Sequence, residues 1–140
     1  MVEKLKKILI IDDERSIRAT LKEILEFEKY LVETAQDGIE GYKMAEEKNF
    51  DLIFCDIKMP KIDGIETLKK IVENSILSPV VMISGHGDIE TAVKTLKIGA
   101  FDYIEKPLDL NRVLTCVRNA LDNNHLKKEN TILKSKIKSK

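Results

Sequence analysis

Asp12, Asp13, Asp56, Ser84 and Lys106 carry the reactive side chains, and each stands where a short strand-like run stops. Lys7-Ile8-Leu9-Ile10-Ile11 stops at Asp12-Asp13, and Asp51-Leu52-Ile53-Phe54-Cys55 stops at Asp56. Pro79-Val80-Val81-Met82-Ile83 stops at Ser84, and the stretch from Ala100 to Glu105 stops at Lys106-Pro107. Carboxylates brought within a few ångströms repel one another and raise each other's pKa unless a cation joins them. Ligands that are all oxygen select a hard cation, and Mg²⁺ held by few carboxylates plus water fits best. Such an ion also holds a phosphoryl oxygen and neutralises charge as the group moves. A carboxylate can then act as the covalent nucleophile and form an aspartyl phosphate. Lys106 would balance the new charge, and the Ser84 hydroxyl would donate a hydrogen bond to a phosphoryl oxygen.

Taken singly, these residues say little. An Asp at a strand end is usually a turn or cap residue, and Asp12 or Asp13 could simply cap the helix that follows. Ser84-Gly85 alone reads as a turn and Lys106 before Pro107 as an exposed lysine. The signal lies in their joint placement, so it depends on the elements that carry them.

Those elements alternate. Ile8 to Ile11 is mostly β-branched and fully apolar, as expected for a strand buried on both faces of a parallel sheet, and the other three runs also read as strands, the one from Ala100 to Glu105 being short. Leu31-Val32-Glu33-Thr34-Ala35 is a further strand. Ile17, Leu21, Ile24, Leu25 and Phe27 recur at helical spacing and predict an amphipathic helix over about residues 15–28. Asp37-Gly38 turns into a second helix carrying Ile39, Tyr42, Met44 and Ala45. Pro60 and Asp63-Gly64 break the chain before a third, with Ile65, Leu68, Ile71 and Val72. A fourth covers about residues 88–98 and ends at Gly99 as a C-cap glycine. Asp109 or Asn111 caps the last, which carries Leu114, Val117 and Leu121.

Five strands alternating with five helices predict an α/β fold, a doubly wound parallel sheet covered on both faces. Right-handed crossovers leave the flavodoxin-like order 2-1-3-4-5 as the common choice. The working edge of such a sheet is the carboxyl ends of its strands, near the reversal of strand order. Here that edge gathers Asp12, Asp13, Asp56, Ser84 and Lys106.

Composition narrows the class. The 140 residues suit one compact domain, and 24 basic against 24 acidic residues leave a formal net charge of zero. A chain that grips nucleic acid by its phosphates is usually basic. Only the end leans that way, with Lys127-Lys128 and then Lys134, Lys136, Lys138 and Lys140, which reads as a solvated helix surface. Cys55 and Cys116 lack metal-ligand spacing and read as small buried hydrophobes in a reducing cytosol. No apolar run is long enough for a membrane span and no leader is evident, so a cytoplasmic protein is expected.

The ordered segments Ile10-Ile11-Asp12-Asp13-Glu14, Asp56-Ile57-Lys58-Met59-Pro60 with Asp63-Gly64, Ile83-Ser84-Gly85 and Tyr103-Ile104-Glu105-Lys106-Pro107 resemble the receiver domain of two-component response regulators. The likeness covers roughly residues 5–123. It implies that Asp56 is the phosphoacceptor, that Asp12 and Asp13 are the acidic pair for Mg²⁺, and that the backbone carbonyl of Lys58 completes the protein ligands. It also implies that Ser84 and Tyr103 are a switch pair, that Lys106 is the family's invariant lysine, and that the Lys106-Pro107 bond is cis. The stretch from Ser84 to Val93 and Gly99-Ala100-Phe101-Asp102-Tyr103 are similar to a narrower group, the NtrC family with its NtrX-like branch. Ser84 stands where many receivers carry threonine, and the hydroxyl is kept.

By that resemblance a sensor histidine kinase donates the phosphoryl group, and phosphorylation draws Ser84 inward while the Tyr103 ring takes the vacated space. The domain catalyses only its own phosphorylation and dephosphorylation and is not a turnover enzyme. Residues 1–123 form the receiver, and 124–140 a helical extension toward output domains beyond residue 140, which alone would touch DNA. Leu126, Asn130, Leu133 and Ile137 step like a coiled-coil seam, so a homodimer through this tail competes with one through the fourth and fifth helices. His86 reads as a loop residue at the mouth of the site and His125 as a surface residue. A flavodoxin-like cofactor binder would need a Gly, Ser and Thr loop where Asp12-Asp13-Glu14 stands. A phosphatase of the aspartyl-phosphate type would place its nucleophile after the first strand. A receiver that has lost phosphorylation would lack the acidic pair, the acceptor or the lysine.

Overall fold

The computed structural model describes residues 5–85 and 89–122. The strands are β1 (Lys7–Ile11), β2 (Leu31–Ala35), β3 (Leu52–Asp56), β4 (Val80–Ser84) and β5 (Asp102–Glu105). The helices are α1 (Arg15–Phe27), α2 (Gly38–Glu47), α3 (Gly64–Glu73), α4 (Ile89–Ile98) and α5, described over residues 110–122. All strand pairs are parallel, in the order β2-β1-β3-β4-β5.

The apolar runs are continuous because side chains alternate across a sheet with a core on each face. Leu9, Ile11, Ile53, Cys55 and Met82 belong to one core with Leu68 and Ile71 of α3 and Ala92 of α4. Ile8, Ile10, Leu52, Phe54, Val81 and Ile83 belong to the other, with Leu21 and Leu25 of α1 and Val113, Cys116 and Val117 of α5. Burying each large side chain here stabilises the fold by roughly 1.5–3 kcal/mol. No helix among the described residues is long and apolar enough to cross a membrane.

Several sequence expectations need adjusting. Phe27 does not face the core: it is 83% exposed. A helix turns about 100° per residue, which sets position 27 well away from the buried face of Leu21 and Leu25. Val72 is likewise exposed, at the end of α3. Neither Asp12 nor Asp13 caps α1; Glu14 holds the N-cap position and makes no side-chain cap bond. At the start of α5 the choice falls on Asp109, whose carboxylate accepts the Arg112 N–H at 2.9 Å. Gly99 does end α4, at φ +140°, a conformation that side chains oppose. His86, His125, the tail seam and the boundary at residue 123 lie outside the described residues.

Candidate functional site

Backbone register assembles the site. Ile11 pairs with Cys55, Asp56 with Ile83, and Ser84 with Glu105. The ladder continues one step past the strands: Asp12 N–H donates to the Ala35 carbonyl at 3.1 Å, and Ile57 N–H to Ile83 at 3.1 Å. Lys106 N–H donates to the Ser84 carbonyl at 2.9 Å. Asp12, Asp56, Ser84 and Lys106 therefore fall along one edge. The Asp56 backbone is held from behind by α3, because the Gly64 N–H donates to the Ile57 carbonyl at 2.7 Å. A Cβ on Gly64 would collide with the Asp56 carbonyl oxygen, so only glycine lets α3 start this close to β3.

Carboxylate oxygens of Asp12, Asp13 and Asp56 all lie within 4.8 Å of one another. Asp12 is fully buried and Asp56 is 4% exposed, while Asp13 faces solvent. One Asp12 oxygen accepts the Glu14 N–H at 2.8 Å. The other, Oδ2, is buried without a hydrogen bond. Lys106 Nζ stands 3.6 Å from it, an ion-pair separation, and 3.5 Å from Asp56 Oδ2. The same ammonium makes its short contact elsewhere, donating to Glu14 Oε1 at 2.9 Å. Arg18 Nη1 donates to the Asp12 carbonyl at 2.6 Å and ties α1 to this loop.

Burial, then the charge of Asp12, pushes the Asp56 carboxyl up to about 7, against the pull of Lys106. Asp12 is raised too, chiefly by burial, although the Glu14 N–H and Lys106 favour its charged form. Burial alone would lower Lys106, but the Glu14 hydrogen bond and the charges of Asp12 and Asp56 hold it above its usual value. One ammonium thus faces more negative charge than it can neutralise. A buried carboxylate oxygen with no donor, beside two further carboxylates, is what a small hard cation would complete. The donors are all oxygen, so the residues fit Mg²⁺.

Ser84 is buried, and its hydroxyl makes only a long 3.5 Å contact to the Ile104 carbonyl, so it is lightly held. Tyr103 pairs with Met82 and packs half-buried on the core under α4. Ser84 lies two residues beyond Met82, on that same face of the sheet. Lys58 is an exposed residue on the loop after β3. The Lys106-Pro107 bond is cis, as the resemblance implied. Cys55 is fully buried, and its thiol is pushed far up by burial and by Asp56, which leaves it inert. The residues that sequence reasoning passed over are Glu14 and Gly64. Glu14 stands within the acidic motif, where nothing in its neighbours points to Lys106.

A doubly wound α/β domain with a buried acidic pocket and a lysine across from it defines a small class of phosphoryl-handling folds. The chain belongs to the response regulator receiver domain family, which it matches over residues 8–118. It is 39% identical over 132 residues to a response regulator of Rickettsia felis described as NtrX-like, covering 93% of this chain and 28% of that protein. Klebsiella oxytoca ZraR, a transcriptional regulatory protein, is 39% identical over 119 residues, covering 85% of this chain and 27% of that one. Among solved structures, NtrX of Brucella abortus in complex with ADP superposes with a TM-score of 0.88 at 37% identity, over 93% of this chain and 30% of that chain. A receiver domain protein of Clostridium thermocellum gives 0.82 at 35% identity, over 87% and 98%. The chain spans about 28% of the length of the NtrX-like relatives.

Proposed function

We propose that Asp56 accepts a phosphoryl group from the phosphohistidine of a sensor kinase and that the domain switches state in response. In the transfer an Asp56 carboxylate oxygen bonds to phosphorus as the bond from phosphorus to the histidine nitrogen breaks. The imidazole leaves with the electron pair of that bond and takes a proton from solvent. Asp12, Asp13, Asp56 and the Lys58 carbonyl are the groups that would hold Mg²⁺, which when bound supplies positive charge beside the phosphoryl oxygens. Lys106 pairs with a phosphoryl oxygen and keeps the acyl phosphate from being an unbalanced buried charge. The Ser84 hydroxyl gives up its long contact to Ile104 and donates to another phosphoryl oxygen. Tyr103, on the same face, moves into the space that Ser84 leaves. Phosphorylation in this way shifts a population between states that already coexist.

The observation that carries this reading is the donorless, buried Asp12 Oδ2 beside Asp56, with Lys106 3.5 Å from Asp56 Oδ2. The Asp12 charge is poorly balanced by Lys106 at 3.6 Å, and a bound cation would relieve it. The similarity to ZraR, described as a transcriptional regulatory protein, supports an output in transcription. DNA would then be reached only through a C-terminal domain outside this chain. The protein acts in the cytoplasm, works as a homodimer through its tail or its fourth and fifth helices, and performs no turnover chemistry beyond its own phosphoryl group. Intact-protein mass spectrometry after incubation with acetyl phosphate tests the chemistry. A single Mg²⁺-dependent phosphoryl adduct, absent in Asp56→Asn, is expected. An adduct that persists in that variant would overturn the assignment.

A further inference from the structure

Glu14 occupies the N-cap of α1, yet its carboxylate caps nothing. Ser, Thr, Asp and Asn are the usual residues there, because their short side chains reach back to the helix N–H groups. The Glu14 side chain instead runs to Lys106, 92 residues away, and is the only carboxylate among the described residues within 3 Å of that ammonium. Asp56 and Asp12 are left at 3.5 and 3.6 Å. The Glu14 side chain is 54% exposed and that of Lys106 18%, so the contact lies at the mouth of the pocket.

The geometry points to Glu14 as a positioning residue that latches Lys106 at the mouth of the site in the resting state, so that phosphoryl transfer must draw the lysine off it. This inference rests on the reading of Asp56 as phosphoacceptor. The competition has a defined direction. When a cation satisfies Asp12 and Asp56, Lys106 gains little by moving inward, and Glu14 keeps it. As the phosphoryl group arrives, its oxygens need the ammonium, and the Glu14 contact must be weakened or shared. A half-exposed ion pair of this kind sets a modest barrier. Its removal should speed transfer roughly two- to five-fold. Without the cation, a lysine freed from Glu14 settles between Asp12 and Asp56 and competes with Mg²⁺ for them. Loss of the latch therefore slows nothing at saturating Mg²⁺ but weakens Mg²⁺ binding.

The test compares the full chain with Glu14→Gln and Glu14→Asp. The Glu14 N–H bond to Asp12 belongs to the backbone, so both variants retain it. Aspartate keeps the charge but shortens the reach by roughly 1.5 Å, about one bond length. Adduct formation with acetyl phosphate is timed at saturating Mg²⁺, and the affinity for Mg²⁺ alone is measured by calorimetric titration. Both variants should phosphorylate roughly two- to five-fold faster and bind Mg²⁺ more weakly than the parent. A Glu14→Asp that matches the parent would mean that charge at a distance, not contact, is what matters, and would overturn the latch. Unchanged or slower phosphorylation in Glu14→Gln would overturn it as well. Absence of any Asp56 adduct in the parent chain would instead refute the phosphoacceptor reading, and the latch with it.

Discussion

Replacing Asp56 by Asn should make the Mg²⁺-free protein more stable, although it removes the acceptor itself. The Asp56 carboxyl is raised from 3.8 to about 7, first by burial and then by Asp12. That is roughly three powers of ten in proton affinity, at about 1.4 kcal/mol each, so ionisation in the folded state is disfavoured by roughly 4 kcal/mol. Asn escapes that cost but leaves Lys106 with one fewer partner and one amide to satisfy. About half, roughly 2 kcal/mol, should survive as stabilisation at pH 8. With a slope of about 2 kcal/mol per molar urea, the unfolding midpoint should rise by roughly 1 M. The sign of the pH dependence follows from linkage. The folded value lies above the unfolded one, so the stability that this group holds below pH 3.8 is lost as the pH rises to about 7 and stays lost above it. The advantage of Asn over Asp should therefore grow across that window and level off. Added Mg²⁺ should raise the midpoint of the parent far more than that of the variant. Urea titrations of both proteins between pH 5 and 8, with and without Mg²⁺, measure all of this. An Asp56→Asn protein no more stable than its parent at pH 8, or an advantage indifferent to pH, would refute the argument.

Gly64→Ala should destabilise the fold by about 2–3 kcal/mol and slow adduct formation, because the new Cβ must push against the Asp56 carbonyl; urea unfolding and timed phosphorylation check both. Asp12→Asn should retain the fold by circular dichroism yet weaken Mg²⁺ binding by more than about tenfold, since even outer partners of a metal site cost that much. Phe27→Ser should change stability by less than about 0.5 kcal/mol, because that ring is 83% exposed; a larger loss would show that it does pack on the domain.

The sheet was legible because a parallel strand buried on both faces is written as an unbroken apolar run, and Ile8 to Ile11 is as plain a case as Leu52 to Cys55. The strand ends were set one residue early at β3 and β4, since Asp56 and Ser84 look like terminators. Both are the last paired residues of their strands, and the ladder runs past them through the bonds from the Ile57 N–H to the Ile83 carbonyl and from the Lys106 N–H to the Ser84 carbonyl. The convergence of Asp12, Asp13 and Asp56 follows from that register, and the structure brings the expected carboxylates within 4.8 Å. Phe27 lies close in sequence to Ile24 and Leu25 but is turned well away from the face of Leu21 and Leu25, so an apolar residue near the end of a helix need not face the core. The Glu14 contact to Lys106 left no local trace, being made between residues 92 apart in the chain. Gly64 carried a turn signal, but its second task, clearing the Asp56 backbone, depends on how closely α3 packs on β3.

Borohydride reduction of the phosphorylated protein, followed by peptide mass spectrometry, locates the phosphorylated residue. An acyl phosphate is reduced to an alcohol, so a phosphorylated aspartate becomes homoserine at its own position. Homoserine is expected at residue 56 alone, formed only when phosphodonor and Mg²⁺ were both present. Homoserine at residue 12 or 13 with Asp56 intact, or a phosphorylated protein that yields none, would contradict the assignment of Asp56 as acceptor.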